Sequence, residues 1–242
     1  MIYPNEYDNQ YISFGEFDMK QFTIKNTTFS LSQLNTASKE EREEIKKFIE
    51  DVFIYLTDKL GEPPTDYARN FVITILNDRS DSGSAGYRTL ISYWDKKVLT
   101  HEFIHWWNGV TMGSGINVWN EAGTEYLAFK TLKDMGVWTE KQYIQSMINI
   151  NAVREVYPYA KYYSNVYEGE AFAFMRDLDL LIIEKTNGQF SLEDVIKYYH
   201  QLGREIYNYK NLSINETVEL IKNVTGVDVT NFINERYAPD TI

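Results

Sequence analysis

Two of the chain's three histidines lie one helical turn apart with a glutamate between them, in the pentapeptide H-E-F-I-H at residues 101–105. Residues i and i+4 share one face of an α-helix, so the imidazoles of His101 and His105 can reach the same metal ion. Glu102 then lies beside that ion, where it can act as a general base. This spacing predicts a helix in the apolar segment around it, and the H-E-x-x-H pattern is typical of zinc hydrolases.

A catalytic zinc site needs a third protein ligand, and a downstream segment supplies two candidates. The turn-rich residues 108–115 should end the first helix, and a second helix from about Val118 carries Glu121 and Glu125 on one face. One carboxylate can bind the ion while the other accepts the free ring N–H of a histidine ligand. The residues alone leave open which glutamate does which. The competing interpretation is an ordinary solvated acidic face beside two core histidines.

These segments resemble the gluzincin metallopeptidases, which bind zinc through H-E-x-x-H and a downstream glutamate. The strongest similarity is to the glycyl aminopeptidase branch, with leucine-type aminopeptidases and thermolysin more distant. It rests on H-E-F-I-H-W-W-N at residues 101–108 and on W-N-E-A-G-T-E-Y at residues 119–126. Further matches span roughly residues 45–205 and include L-G-E-P-P-T-D-Y at 60–67, D-L at 179–180, T-N-G at 186–188 and S-L-E-D-V at 191–195.

The resemblance implies a role for each residue of the two motifs. His101, His105 and Glu121 would bind one Zn²⁺ ion per chain, Glu102 would be the general base, and Glu125 would orient a histidine ring. Glu121 follows His105 by 16 residues and Glu125 follows it by 20. The longer interval is nearer to that of well-known members, whereas the Asn-Glu-Ala context favours Glu121. We give the local context more weight, because loop lengths change more easily than ligand surroundings.

The resemblance also implies a tyrosine that stabilises negative charge on the scissile carbonyl oxygen. In the family it usually lies in a Y-x-K-G context that opens a helix. Tyr167 is the best match, but Gly169-Glu170 stands where Lys-Gly is usual, so Tyr162 or Tyr163 fits a shifted register. A neutral phenol suits this role, because it donates a hydrogen bond without adding charge beside the metal.

The order of predicted elements indicates an α+β fold with one catalytic unit over residues 1–242, and the resemblance implies a thermolysin-like catalytic domain. We expect a small mixed lobe, residues 1–95, with an edge-strand sheet packed on a mainly helical zinc-binding lobe, residues 96–242, and a zinc cleft between them. Strands are expected at 11–14, 22–24, 29–31, 70–76 and 84–93, and helices at 39–60, 97–108, 118–134, 139–153, 167–185, 191–202, 214–223 and 228–236.

An edge strand beside the cleft can hold an extended peptide through its unpaired N–H and C=O groups. The run from Gly83 to Leu90 lies where relatives place this strand, which makes Gly86 and Tyr87 the candidate substrate-binding residues. The run lacks the glutamate with which aminopeptidase relatives hold a free amino terminus. We therefore favour endopeptidase over aminopeptidase activity, with Glu168 or Glu170 as the alternative amine-binding residue.

Composition narrows the function further. A net charge of −11 argues against nucleic acid and acidic membrane surfaces as partners, and no segment approaches the ~20 apolar residues of a membrane span. The absence of cysteine leaves histidine and carboxylate as zinc ligands. The first residues lack signal-peptide features, and a secreted or cell-envelope bacterial protein is the favoured expectation. The oligomeric state stays open, and His200 is expected to be a surface or packing residue.

The predicted function is hydrolysis of peptide bonds in peptide or protein substrates by a zinc-activated water. Two alternatives stay open. One is a peptide-binding module that keeps the fold without hydrolysis, although the intact Glu102 weighs against it. The other is a zinc hydrolase of non-peptide amides or esters, which the sequence does not distinguish from a peptidase.

Overall fold

The computed structural model describes residues 15–62, 70–76, 83–86, 88–116, 118–147, 169–206 and 211–236 of the 242-residue chain. Its strands are β1 (Phe17–Ile24), β2 (Thr27–Leu34), β3 (Asn70–Leu76), β4 (Gly83–Gly86), β5 (Thr89–Tyr93), β6 (Gly113–Ser114) and β7 (Asn211–Leu212). Its helices are α1 (Lys39–Leu60), α2 (Lys96–Ile104), α3 (Glu121–Asp134), α4 (residues 140–147), α5 (Gly169–Lys185), α6 (Leu192–Ile206), α7 (Ile214–Thr225) and α8 (Thr230–Arg236). The predicted α+β class is confirmed.

The first five strands form one mixed sheet in the order β1-β2-β3-β5-β4. The hairpin β1–β2 is antiparallel, and β2, β3 and β5 run parallel, with α1 as the crossover between β2 and β3. Strand β4 runs antiparallel to β5 and forms the edge of the sheet. The helix α2 follows β5 directly, so the sequence places the histidine helix next to this edge.

Helix α1 begins and ends where its capping residues predict. The Ser38 hydroxyl accepts a hydrogen bond from the Glu41 N–H, and Gly61 follows the last turn with a φ of 90°. Apolar residues recur at helical spacing and form one buried face: Ile45, Phe48, Ile49, Val52, Phe53, Leu56 and Leu60. The helix covers the sheet and provides the base on which the histidine helix rests.

Trp106 and Trp107, which follow the second histidine, pack the end of α2 against the sheet and against the end of α1. The Trp106 ring stacks on Phe71 of β3 with ring centroids 3.8 Å apart, and it also meets Phe29 of β2. The Trp107 indole N–H donates to the Gly61 carbonyl at 2.8 Å, at the end of α1. Both tryptophans are buried. The histidine helix is therefore wedged between sheet and crossover helix by bulky, well-packed side chains.

Four predicted elements differ from the structure. The strands expected at 22–24 and 29–31 are parts of longer strands, β1 at 17–24 and β2 at 27–34. The single strand expected at 84–93 is two antiparallel strands, because Arg88 has a left-handed φ of 61° that breaks the extended run. The helix expected at 97–108 ends at Ile104, and tight turns follow it, in which the Thr111 hydroxyl donates to the Trp106 carbonyl at 2.7 Å. The other described helices begin and end within a few residues of expectation.

Several predictions lie outside the described residues. They are the strand at 11–14, the end of the helix expected at 139–153 and the first residues of the helix expected at 167–185. The division into lobes 1–95 and 96–242 stays a prediction. Across the described residues, no helix combines the length and apolar character that a bilayer crossing requires.

A buried charged network joins the helices behind the site. The fully buried Asp179 carboxylate of α5 accepts hydrogen bonds from the Tyr126 hydroxyl at 2.6 Å and the Leu192 N–H at 2.7 Å. Lys130 of α3 lies 2.9 Å from the same carboxylate and 3.0 Å from Glu193. Burial opposes its charge, but the two carboxylates raise the pKa of Lys130 above its ordinary value. The D-L segment at 179–180 and the S-L-E-D-V segment at 191–195 therefore contribute residues that join α3, α5 and α6.

Replacing Asp179 by Ala should destabilise the fold strongly, because it leaves the Lys130 ammonium short of its buried partner. Breaking such a pair from one side costs about 3–5 kcal/mol. The measurement is the free energy of unfolding from urea titration. As a matched control, Asp51→Ala removes an ion pair with Lys47 on the exposed face of α1 and should leave the urea midpoint nearly unchanged. Equal midpoint shifts in the two variants would contradict a structural role for the network.

Candidate active site

Three potential metal ligands converge where α2 faces α3. The Nε2 atoms of His101 and His105 lie 3.0 Å apart, and the Oε2 atom of Glu121 lies 3.4 Å from the first and 3.5 Å from the second. Both histidines are buried and Glu121 is partly buried. The three residues come from two elements separated by the turn-rich segment, as the sequence predicts.

The spacing of these atoms fits one zinc ion. Nitrogen and oxygen ligands bind zinc at about 2.0–2.1 Å, and in a tetrahedral site such ligands lie about 3.3 Å from one another. The three observed separations, 3.0, 3.4 and 3.5 Å, bracket that value. The donor set of two imidazoles and one carboxylate is one that catalytic zinc sites use. Their assignment as ligands stays a prediction, and the geometry agrees with it.

The outward-facing nitrogen of each histidine ring has its own partner. His101 Nδ1 lies 2.8 Å from Glu125 Oε2, and His105 Nδ1 lies 3.1 Å from the Asn120 side-chain oxygen. With the ring proton on Nδ1, where these partners can accept it, Nε2 is the atom of each histidine that can bind a metal ion. The structure therefore brings Glu125 to the position expected for an orienting carboxylate. It also adds Asn120, which the sequence analysis did not identify.

Gly109 makes the contact between Asn120 and His105 possible. Its φ of 104° lies in the region that favours glycine, and a Cβ atom there would lie 1.9 Å from the Asn120 side-chain oxygen. A side chain at this position would displace that oxygen from the His105 ring. The contact of Asn120 with His105 therefore requires glycine at position 109, at the end of the H-W-W-N-G run.

Glu102 faces the same space from the edge of the sheet. Its side chain is buried, and among the described residues its carboxylate accepts no hydrogen bond. Strand β4 approaches so closely that a Cβ atom on Gly83 would lie 2.6 Å from Glu102 Cγ and 2.8 Å from Oε1. Glycine at position 83 therefore lets the edge strand lie against the candidate base. The residues alone predict a substrate-binding run from Gly83 to Leu90, and the contact of Gly83 with Glu102 is visible only in the structure.

Burial and hydrogen bonding act in opposite directions on the pKa values of His101 and Glu121. Burial alone would lower the pKa of His101, but hydrogen bonds with Glu121 and Glu125 raise it to about 9. Burial opposes ionisation of Glu121, but hydrogen bonds with His101 and His105 hold its pKa below the ordinary value. Burial raises the pKa of Glu102. Three carboxylates gathered around two imidazoles form an environment that favours a divalent cation.

The remaining predicted residues fall into three groups. Gly86 lies in the edge strand β4 and is buried. Tyr167, with its alternatives Tyr162 and Tyr163, and Tyr87 lie outside the described residues, so their roles stay predictions. The third histidine, His200, is buried in α6, and its Nε2 lies 2.9 Å from the Trp107 carbonyl. It packs against the turn after α2, away from the candidate ligands.

Comparison with solved structures shows the fold of an M1 peptidase domain. An aminopeptidase N family protein from Idiomarina loihiensis matches with a TM-score of 0.69 and 14% identity over 94% of this chain and 48% of its own. An M1 zinc metallopeptidase from Deinococcus radiodurans gives 0.65 and 13%, covering 94% and 53%. Yeast LTA4 hydrolase in complex with bestatin gives 0.67 and 12%, covering 93% and 40%.

This chain thus spans 40–53% of the length of these three solved proteins. No protein-family model and no curated protein sequence matches it.

The geometry predicts that zinc binding depends on both histidines. His101→Ala or His105→Ala should abolish stoichiometric zinc, because the two remaining ligands bind too weakly. Glu121→Gln should weaken binding more than Glu125→Gln, since the first loses a ligand and the second a ring partner. The measurement is bound zinc per chain, with affinity from chelator competition.

His200→Gln is the control for this series, because it removes the third histidine and should keep one zinc per chain. A full equivalent of zinc in either Ala variant, or the reverse order of the two glutamates, would contradict the ligand assignment.

Proposed function

We propose that this chain is a zinc-dependent peptidase. The observation that carries the proposal is the convergence of His101, His105 and Glu121 on one point. Glu102 lies against the edge strand at Gly83, near enough for the charges of both histidines to act on its carboxylate. The solved proteins of similar fold bear the names of zinc metallopeptidases and aminopeptidases, which supports the same function class.

Hydrolysis of a peptide bond by this route needs a Lewis acid, a general base and a hydrogen-bond donor to the carbonyl oxygen. Zinc held by His101, His105 and Glu121 would supply the Lewis acidity. Glu102 takes a proton from the attacking water and delivers it to the leaving amine. Burial raises the pKa of this carboxyl, which suits a group that both accepts and returns a proton. Glu125 keeps the His101 ring in one orientation throughout. Tyr167 is the proposed hydrogen-bond donor to the developing oxyanion.

The substrate is proposed to bind along β4. In the described part of the chain the strand neighbour of β4 is β5, and the proposal places an extended peptide along the side of β4 opposite β5. Gly86 and the following Tyr87 would contact the substrate backbone. Since Gly83 brings the strand against Glu102, a peptide paired with β4 would pass directly by the base.

We further propose that cleavage does not require a free amino terminus. The residues of β4, G-S-A-G, offer no carboxylate to bind a terminal ammonium group. The names of several solved neighbours refer to aminopeptidases, so this is a point on which this chain would differ from them. The alternative is that Glu168 or Glu170 supplies the missing carboxylate.

Glu102→Gln should retain zinc and fold but lose hydrolysis by about 10²–10⁴-fold or more, because an amide cannot accept the proton of the attacking water. The measurement is the turnover of a peptide mixture alongside zinc content. Glu140→Gln on the exposed α4 is the matched control and should retain activity. Wild-type turnover in the Glu102 variant would rule out this mechanism. A zinc-loaded wild type without turnover would favour the peptide-binding module.

Acetylation of a peptide's amino terminus should leave it cleavable, since no carboxylate on β4 loses a partner. The measurement is a mass-spectrometric digest of one peptide in free and acetylated form, with cut positions compared. Internal cuts in both forms are expected. Loss of single residues from the free peptide together with resistance of the acetylated one would overturn the endopeptidase preference and point to Glu168 or Glu170.

A further inference from the structure

Lys97 lies one helical turn before His101 on the same face of α2, and it contacts the candidate site through Glu125. Its Nζ lies 2.9 Å from Glu125 Oε1, while Glu125 Oε2 lies 2.8 Å from His101 Nδ1. The side chains of α2 and α3 therefore meet as a ladder. Lys97 stands opposite Glu125, and His105 stands opposite Glu121, with His101 between them in contact with both glutamates.

The ladder presents the site with two similar carboxylates. Glu121 and Glu125 are one turn apart on α3, both are partly buried, and both contact His101. Only one of them can be the metal ligand in a three-ligand site, and the sequence alone does not decide between them. A physical difference between their surroundings must therefore assign the two roles.

Lys97 provides that difference. Oε1 of Glu125 is bound to the ammonium group and Oε2 to Nδ1 of His101, so both oxygens have partners other than the Nε2 atoms that Glu121 faces. Glu121 has no lysine partner among the described residues, and its Oε2 faces both histidine Nε2 atoms. The side chain of Lys97 is 38% exposed and that of Glu125 25% exposed. At such exposure an ion pair adds little stability, so its effect lies in orientation.

We propose that Lys97 is a positioning residue that holds Glu125 against His101 and thereby reserves the ligand position for Glu121. The proposal rests on the proposed zinc site. Lys97 itself touches neither the ligand atoms nor the space beside Glu102. It acts through the Glu125 carboxylate. Its ammonium group binds Oε1 of that carboxylate, which leaves Oε2 directed at the His101 ring.

The neighbouring residue Lys96 offers a matched control. It lies in the same first turn of α2, is 40% exposed, and forms one ion pair at 2.9 Å, but with Glu44 of α1. Replacing either lysine by Met removes one positive charge from the same helix terminus and keeps a side chain of similar length. Only the Lys97 change reaches the histidines.

The experiment compares the wild type with four variants: Lys96→Met, Lys97→Met, Lys97→Arg and Glu125→Gln. For each protein it measures zinc affinity by chelator competition and the visible absorption of the Co²⁺-substituted form. Loss of an outer partner of a metal ligand costs about 10–100-fold in affinity, and Lys97→Met should fall near the lower end. Its Co²⁺ spectrum should change, because the released Glu125 oxygen alters the coordination. Lys96→Met should match wild type in both, and Lys97→Arg should restore most of the affinity.

A double variant tests the route of the effect. If Lys97 acts through Glu125, then Lys97→Met added to Glu125→Gln should weaken zinc binding no further. Additive losses would overturn the proposal, as would a Lys97→Met protein equal to Lys96→Met in affinity and spectrum. In the second case zinc binding by wild type would leave the proposed function standing. A wild type without zinc affinity would overturn both. The unfolding midpoints of metal-free Lys96→Met and Lys97→Met proteins should agree, which separates orientation from stability.

Discussion

The buried side-chain amide of Asn108 is the contact on which the site depends. It donates to the carbonyls of Trp119 and Asn120 at 3.0 and 3.2 Å and lies 2.9 Å from the Thr124 hydroxyl. These bonds join the end of the histidine helix to the start of the glutamate helix. They fix how α3 is placed along α2, and Glu121 reaches both imidazoles only at that placement. Trp106 and Trp107 pack α2 against the sheet and α1. The polar contacts of Asn108 therefore align α3 with α2, and apolar packing holds α2 in place.

The sequence allowed prediction of the features that depend on local physics. Helix α1 was predicted with its observed bounds, because Ser38 and Gly61 act within their own turns. The pairing of two histidines and a distant glutamate followed from helical periodicity and a loop too turn-rich to continue the helix. The structure places these side chains where that reasoning expects them, and the fold class agrees with solved M1 peptidase domains.

Features that depend on tertiary contact could not be predicted in the same way. Arg88 has the positive φ that separates β4 from β5, and its residue type does not predict this conformation, as a glycine at position 88 would. The contacts of Gly83 with Glu102 and of Lys97 with Glu125 join residues 19 and 28 positions apart, and nothing in either local segment marks them. The early end of α2 likewise depends on Thr111, whose hydroxyl turns back to the Trp106 carbonyl. Each is a consequence of how elements pack.

The most direct test of the central claim is anomalous diffraction at the zinc absorption edge from crystals of the protein grown with zinc. One strong peak is expected within bonding distance of Nε2 of His101, Nε2 of His105 and a carboxylate oxygen of Glu121, with Glu125 still on the far side of the His101 ring. Absence of a peak between α2 and α3, or a peak bonded to Glu125 instead of Glu121, would contradict it.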